Sequence, residues 1–271
     1  MHNQLRGFCN TPSLFENDFY GFKLFELEDI DLDNFDINNI QILQQLPLGK
    51  RVEHFFDAII EQSPNYERIL KNKQIIQDKH TFGEIDFILF NKKRNIYEHI
   101  EMQYKFYVYD DNIKEEIHRY VGPNRSDTLY LKLEKLKNKQ LPLLFNEATK
   151  SYLEDVDLEN IEQKILYKGN IFLPRHLKGQ SLPLINNDCI NGYYLSFKEF
   201  IKDDSFKQMS LFVPHRFDWL SDPTTNETWK SYEEAKEEIE FFANMKASPL
   251  IWSKNTHNKE IIIERFFITW W

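Results

Sequence analysis

Two short stretches carry acids at spacings that suit metal chemistry: Glu84-Ile85-Asp86 and Glu101-Met102-Gln103-Tyr104-Lys105. The residues around each are β-rich, and Asn91 to Asn95 between them is turn chemistry, so the two stretches read as arms of one hairpin. With Lys92 to Asn95 as the loop, Asn91 faces Ile96, Asp86 faces Glu101 and Glu84 faces Gln103. Side chains alternate along a strand, which puts Glu84, Asp86, Glu101, Gln103 and Lys105 on one face. Ile85, Phe87, Leu89, Ile100, Met102 and Tyr104 fall on the other, the expected core face. Directly opposed side chains have Cβ atoms about 4.5–5.5 Å apart, so two carboxylates there repel. A hard divalent cation offsets that cost, because Mg²⁺ takes one or two carboxylates together with waters and phosphate oxygens. Acid pairs on a solvated sheet face are also common, and short acid motifs alone have a high false-positive rate. His99, two residues before Glu101, reads either as an assistant to the site or as an ordinary polar residue.

The elements that would position these groups can be read nearby. Val52, Phe55, Phe56, Ile59 and Ile60 form one apolar stripe, so a helix follows Pro47-Leu48-Gly49 and ends at Ser63-Pro64. Glu53 lies about 100° round from Val52, at the edge of that stripe. After Gly122-Pro123-Asn124, Leu129, Leu133 and Leu136 mark a second helix. Its Lys132, Lys135, Lys137 and Lys139 suit either phosphate contacts or a solvated face. Further on, Ile165 to Leu173, Tyr193 to Phe197, Met209 to Val213 and Ile261 to Thr269 read as strands. Glu233 to Met245 reads as a helix, and Asp155 to Glu162 as a linker or short helix. The order gives an α/β or α+β protein.

These residues resemble the core of the PD-(D/E)XK nuclease-like superfamily, in which a helix carries an acid, a strand an Asp, and the neighbouring strand Glu-x-Lys. More closely, the chain resembles a bacterial family of domains of unknown function, numbered eighteen fifty-three and assigned to that superfamily. The likeness lies in Leu48-Gly49-Lys50-Arg51-Val52-Glu53, Gly83 to Phe90, Glu101 to Tyr107, Gly122-Pro123-Asn124 with Asp127, Leu131-Lys132-Leu133 and Gln140-Leu141-Pro142-Leu143. It weakens through Gly169 to Pro174 and Arg216 to Leu220. The resemblance implies a restriction-endonuclease-like core with a mixed sheet flanked by helices. It implies Glu53 as the helix acid, Asp86 and Glu101 as metal ligands with the Met102 carbonyl, and Glu84 as support. The superfamily's lysine falls on Gln103, and Lys105, two residues further on, offers the charge instead. The implied activity is Mg²⁺- or Mn²⁺-dependent hydrolysis of phosphodiester bonds in DNA. The alternative is a non-catalytic nucleic-acid-binding or assembly module that keeps the fold, a reading that Gln103 favours. RNA in place of DNA is a third reading.

The 271 residues are 41% hydrophobic and 15% aromatic, enough for a sizeable core. The 34 Lys and Arg against 43 Asp and Glu leave a formal net charge of −9, which excludes a histone-like coat but not a local basic groove. Two cysteines, Cys9 and Cys189, cannot build a disulfide framework or a four-cysteine zinc site. With no hydrophobic leader and no long apolar run, a cytoplasmic protein without membrane contact is expected. No Walker A, HExxH or G-x-S-x-G pattern is present, and His99-Ile100-Glu101 lacks the following P-C-x-x-C of zinc deaminases. Trp252, Trp270 and Trp271 suit a core, an oligomer contact or a base-stacking surface. The expected division is an extended acidic lead-in over 1–43, the nuclease-like core over 44–145 and a C-terminal α+β region over 146–271.

Overall fold

The computed structural model describes residues 1–28, 30–32, 35–37, 40, 42, 46–257 and 260–271. Asp29 and Asp33 of the expected acidic lead-in lie outside the described residues. In chain order the elements are α1 (His2–Asn10), β1 (Lys23–Leu24), α2 (Leu48–Gln62), β2 (Tyr66–Gln77), β3 (His80–Asn91), β4 (Ile96–Tyr109), β5 (Tyr120–Val121), α3 (Leu129–Lys135), α4 (Glu147–Lys150), β6 (Ile161–Pro174), β7 (Ile190–Ser196), α5 (Phe197–Lys202), β8 (Ser210–Phe212), α6 (Tyr232–Asn244), β9 (Leu250–His257) and β10 (Glu260–Thr269). This is a mixed α+β protein with a large mixed sheet flanked by helices. The chain divides into two compact units, neither of them one continuous stretch. One comprises 15–104 and 130–168, the other 1–14, 105–129 and 169–271. The span expected as a core, 44–145, therefore takes residues from both.

The unit of 15–104 and 130–168 holds the acidic hairpin. Its strand order is β2-β3-β4-β6, with β1 parallel to β6 and the β2–β3 and β3–β4 pairs antiparallel. Helix α2 forms as its apolar stripe dictates: Val52, Phe55, Phe56, Ile59 and Ile60 are all buried, and the helix stops at Ser63 before Pro64. Buried Asp57, on the same helix, accepts hydrogen bonds from Arg68 and Lys71 of β2 and ties the two elements together. Strand β2 escapes the sequence reading because it is mostly exposed and rich in Lys, Arg, Glu and Gln, so its apolar positions do not alternate cleanly.

The β3–β4 turn has the expected loop: Asn91 pairs with Ile96, and the register runs on through Phe90–Tyr97 to Phe87–Ile100. Asn95 takes a positive φ of 55°, a conformation asparagine tolerates, and donates its N–H to the Asn91 carbonyl. The expected division into a core face and an acidic face holds less well. Asp86, Glu101 and Gln103 are as buried as their apolar neighbours, so both faces of the hairpin are covered here. Ile85 and Ile88, one odd and one even position, belong to the same core cluster with Leu143 and Leu144, while Phe87 stacks edge-on against Phe56 of α2. Strict alternation breaks around Asp86. The lysine-rich helix forms with Leu129, Leu133 and Leu136 fully buried, and α3 passes into a π-helical turn, Leu136–Gln140. Gly83 closely faces the 3-10 turn that follows, Leu141–Phe145: a Cβ there would sit 2.8 Å from a methyl of Leu143.

In the other unit the strand order is β6-β7-β10-β9-β8. The β6–β7 and β7–β10 pairs are parallel, the β10–β9 and β9–β8 pairs antiparallel. Helices α5 and α6 carry capping boxes, Ser196 with Glu199 and Ser231 with Glu234. They cover a cluster that includes Phe200, Phe206, Ile239 and Phe266. The expected lead-in begins instead as helix α1, which buries Gln4, Leu5 and Phe8 at helical spacing. Gln4 donates 2.8 Å to Asp218, and Gly7 approaches the Leu220 carbonyl so closely that no Cβ would fit. The helix is short and has no side-chain N-cap, which hides it from sequence reading. Trp252 is buried, and Trp271 donates to the Pro123 carbonyl and receives the Arg125 guanidinium on its face, 3.8 Å away. These contacts make the two tryptophans packing residues of this unit. Among the described residues no helix is long and apolar enough to cross a membrane.

Candidate functional site

Asp86 and Glu101 meet just beyond Phe87 and Ile100, at the end of the β3–β4 ladder. The carboxylate of Asp86 does not face a ladder partner; its Oδ2 accepts the Met102 N–H at 2.9 Å. Glu101 is fully buried, its Oε1 3.0 Å from His99 Nε2 and its Oε2 accepting the Gln140 amide at 2.5 Å. Gln163 donates one proton to the Leu141 carbonyl at 2.7 Å and the other to His99 Nδ1 at 2.9 Å. That leaves the histidine proton on Nε2, so His99 donates to Glu101. Burial holds the imidazole neutral by lowering its pKa to about 4.

The electrostatics follow from two carboxyls sharing a dry space. Burial first, then the charge of Glu101, raises Asp86 to about 7 against the pull of the Met102 amide. Burial raises Glu101 to about 7 against the Asp86 backbone, the Gln140 amide and the charge of Lys132. Perturbed carboxyls of this kind are common at functional sites, though structural networks produce them too.

On α2, Glu53 is turned toward a cation within its own helix. Lys50 bridges Glu53 at 2.8 Å and Glu84 at 2.6 Å. Burial raises Glu53, Lys50 lowers it, and the charges of Asp86 and Glu84 add to the rise. Burial works against the Lys50 ammonium, but the bonds and charges of Glu53 and Glu84 outweigh it and raise its pKa. The structure thus gathers Glu53, Glu84, Asp86 and Glu101 in one neighbourhood, with Glu53 and Glu84 sharing the single charge of Lys50.

The remaining expected residues divide. Gln103 is buried. Lys105 belongs to the other unit and pairs with Asp127 at 2.7 Å. Gly122 permits that carboxylate's position, since a Cβ there would meet an Asp127 oxygen at 2.2 Å. Lys132 is half-buried and its charge reaches Glu101, whereas Lys135 and Lys139 are exposed. Lys137, also exposed, lies over the Tyr20 ring, 4.9 Å from its centroid. Sequence reasoning missed Lys50, Gln140 and Gln163. Only Lys50 left a signal, three residues before Glu53 on one helix.

Among the described residues no group of three or more His, Cys, Asp and Glu stands ready to hold a metal. The set that could is Asp86 and Glu101, to which the family resemblance adds the Met102 carbonyl. Two carboxylates with waters satisfy Mg²⁺, and one further oxygen is spare: the Gln140 side-chain carbonyl is buried without a hydrogen-bond partner.

What fold and site define is a mixed α+β protein with a paired, proton-hungry set of carboxyls at a strand divergence. The chain belongs to the family described as domain of unknown function (DUF1853), whose model matches residues 8–269. Neither the curated proteins nor the solved structures yield a match.

Proposed function

We propose that the protein is a Mg²⁺- or Mn²⁺-dependent nuclease that hydrolyses phosphodiester bonds of DNA, on a restriction-endonuclease-like core. The observation that carries this reading is the buried Asp86–Glu101 pair, two carboxyls whose charged forms are disfavoured until a cation joins them. A bound divalent ion polarises the phosphoryl oxygen and lowers the pKa of a coordinated water. Asp86 and Glu101 hold that ion; the Met102 and His99 N–H groups fix the orientation of the two carboxylates. Lys132, close enough to act on Glu101, places positive charge where phosphate charge develops. Exposed Lys135 and Lys139 supply backbone contacts that carry no sequence information.

A second reading has its own observation. With Gln103 at the lysine position and Lys105 engaged by Asp127, the strand offers the site no spare ammonium. That favours a nucleic-acid-binding module without turnover. Cleavage assays on single-stranded, double-stranded and branched DNA, with RNA alongside, separate the two. The nuclease cuts at least one DNA form in Mg²⁺ or Mn²⁺, is stopped by EDTA, and is abolished by Asp86→Ala and by Glu101→Ala. Lys135→Ala weakens binding and lowers the salt slope by about one. Binding without cutting on every substrate, even by Gln103→Lys, leaves only the binding module.

A further inference from the structure

The Gln140 side chain is half spent. Its amide nitrogen donates to Glu101 Oε2, while its carbonyl oxygen, on the same planar group, is buried with no partner. A buried polar atom left unpaired keeps its full desolvation cost, so such an atom calls for an explanation. Covalent geometry places the two ends of an amide about 2.2 Å apart, so this oxygen lies within about 5 Å of the Glu101 carboxylate. A path from the carboxylate through an ion and its water to this oxygen has links of about 2.1, 2.1 and 2.8 Å, and bent at the ion and at the water it closes such a span. Gln140 also ends the π-helical turn Leu136–Gln140, a local irregularity that recurs at functional sites.

We propose that Gln140 is a positioning residue of the Asp86–Glu101 site: its N–H fixes the Glu101 carboxylate, and its carbonyl accepts a hydrogen bond from a water in the hydration shell of the ion held there. This rests on the reading that the two acids bind a divalent cation. In this arrangement the amide orientation is set by Glu101, so one side chain couples the acid to the ion's water.

The test is Mn²⁺ binding to the full chain without nucleic acid, followed by electron paramagnetic resonance and calorimetry. Gln140→Met keeps the shape and removes both polar ends; it should bind Mn²⁺ about 10–100-fold more weakly, with near-ultraviolet circular dichroism unchanged. Gln140→Glu keeps an oxygen acceptor but gives up the N–H to Glu101, so it should bind Mn²⁺ with at most a few-fold loss against wild type. It is the deciding variant should Gln140→Met lose its folded spectrum. Wild-type affinity in a folded Gln140→Met, or a loss of about 10-fold or more in a folded Gln140→Glu, overturns the role of Gln140 alone. A wild-type protein that binds no Mn²⁺ overturns the metal site itself, and the role of Gln140 with it.

Discussion

Asp86 and Glu101 make stability depend on pH in a direction opposite to most carboxylates. Their folded pKa values near 7 stand above the unfolded values of about 4, so the folded protein binds protons more tightly. Their contribution is complete below about pH 4 and is lost as pH rises through about 7. Buried His99 opposes this: its contribution is present above about pH 6.5 and is lost as pH falls through about 4. Asp86→Asn relieves the repulsion and should stabilise the metal-free protein at pH 8 by about 0.2–1 kcal/mol. It should also flatten the slope of melting temperature between pH 4 and 7. Scanning calorimetry in chelator checks both, and a less stable mutant at pH 8 would falsify the repulsion. The acids were legible in the sequence because turn chemistry and a two-residue period fix a hairpin locally. Their partners were not, since Gln140 arrives from 39 residues away and Gln163 reaches His99 across 64.

At the scale of elements, legibility followed burial pattern. Helix α2 announces itself by an apolar stripe, and β3 and β4 by their β-rich runs. Strand β2 does not, because what holds it is charge: Arg68 and Lys71 reach back to buried Asp57 on α2. Asp57→Ala should loosen that tie and destabilise the protein by about 1–3 kcal/mol. This is less than a fully buried pair, since Arg68 and Lys71 keep 31% and 25% of their side-chain surface exposed. Urea unfolding with an unchanged slope measures it. A midpoint equal to wild type's means the bonds contribute nothing net. Strand β9 was likewise overlooked, as its end carries Ser253, Lys254, Asn255 and Thr256 with no apolar alternation.

For the whole molecule, neither unit is a continuous stretch, so composition and periodicity could not draw its boundaries. An isolated fragment of 44–145 lacks Lys164, which pairs with fully buried Glu98 at 2.8 Å, and lacks Leu153 and Val156 of the core cluster. It also carries 105–129, which belong to the other unit. Such a fragment should show no cooperative thermal transition by circular dichroism. A sharp transition there would mean that the hairpin and α2 are self-sufficient. The hydrogen bond between Gln4 and Asp218 has a different bearing, on the order of assembly during synthesis. Its partners are 214 residues apart, so at about 5–20 residues per second helix α1 waits about 10–40 s for the segment it packs on. The unit bearing the carboxyl pair needs nothing beyond Lys168. On that ordering the residues that partner the acids are all synthesised while Leu5 and Phe8 still await the segment around Asp218.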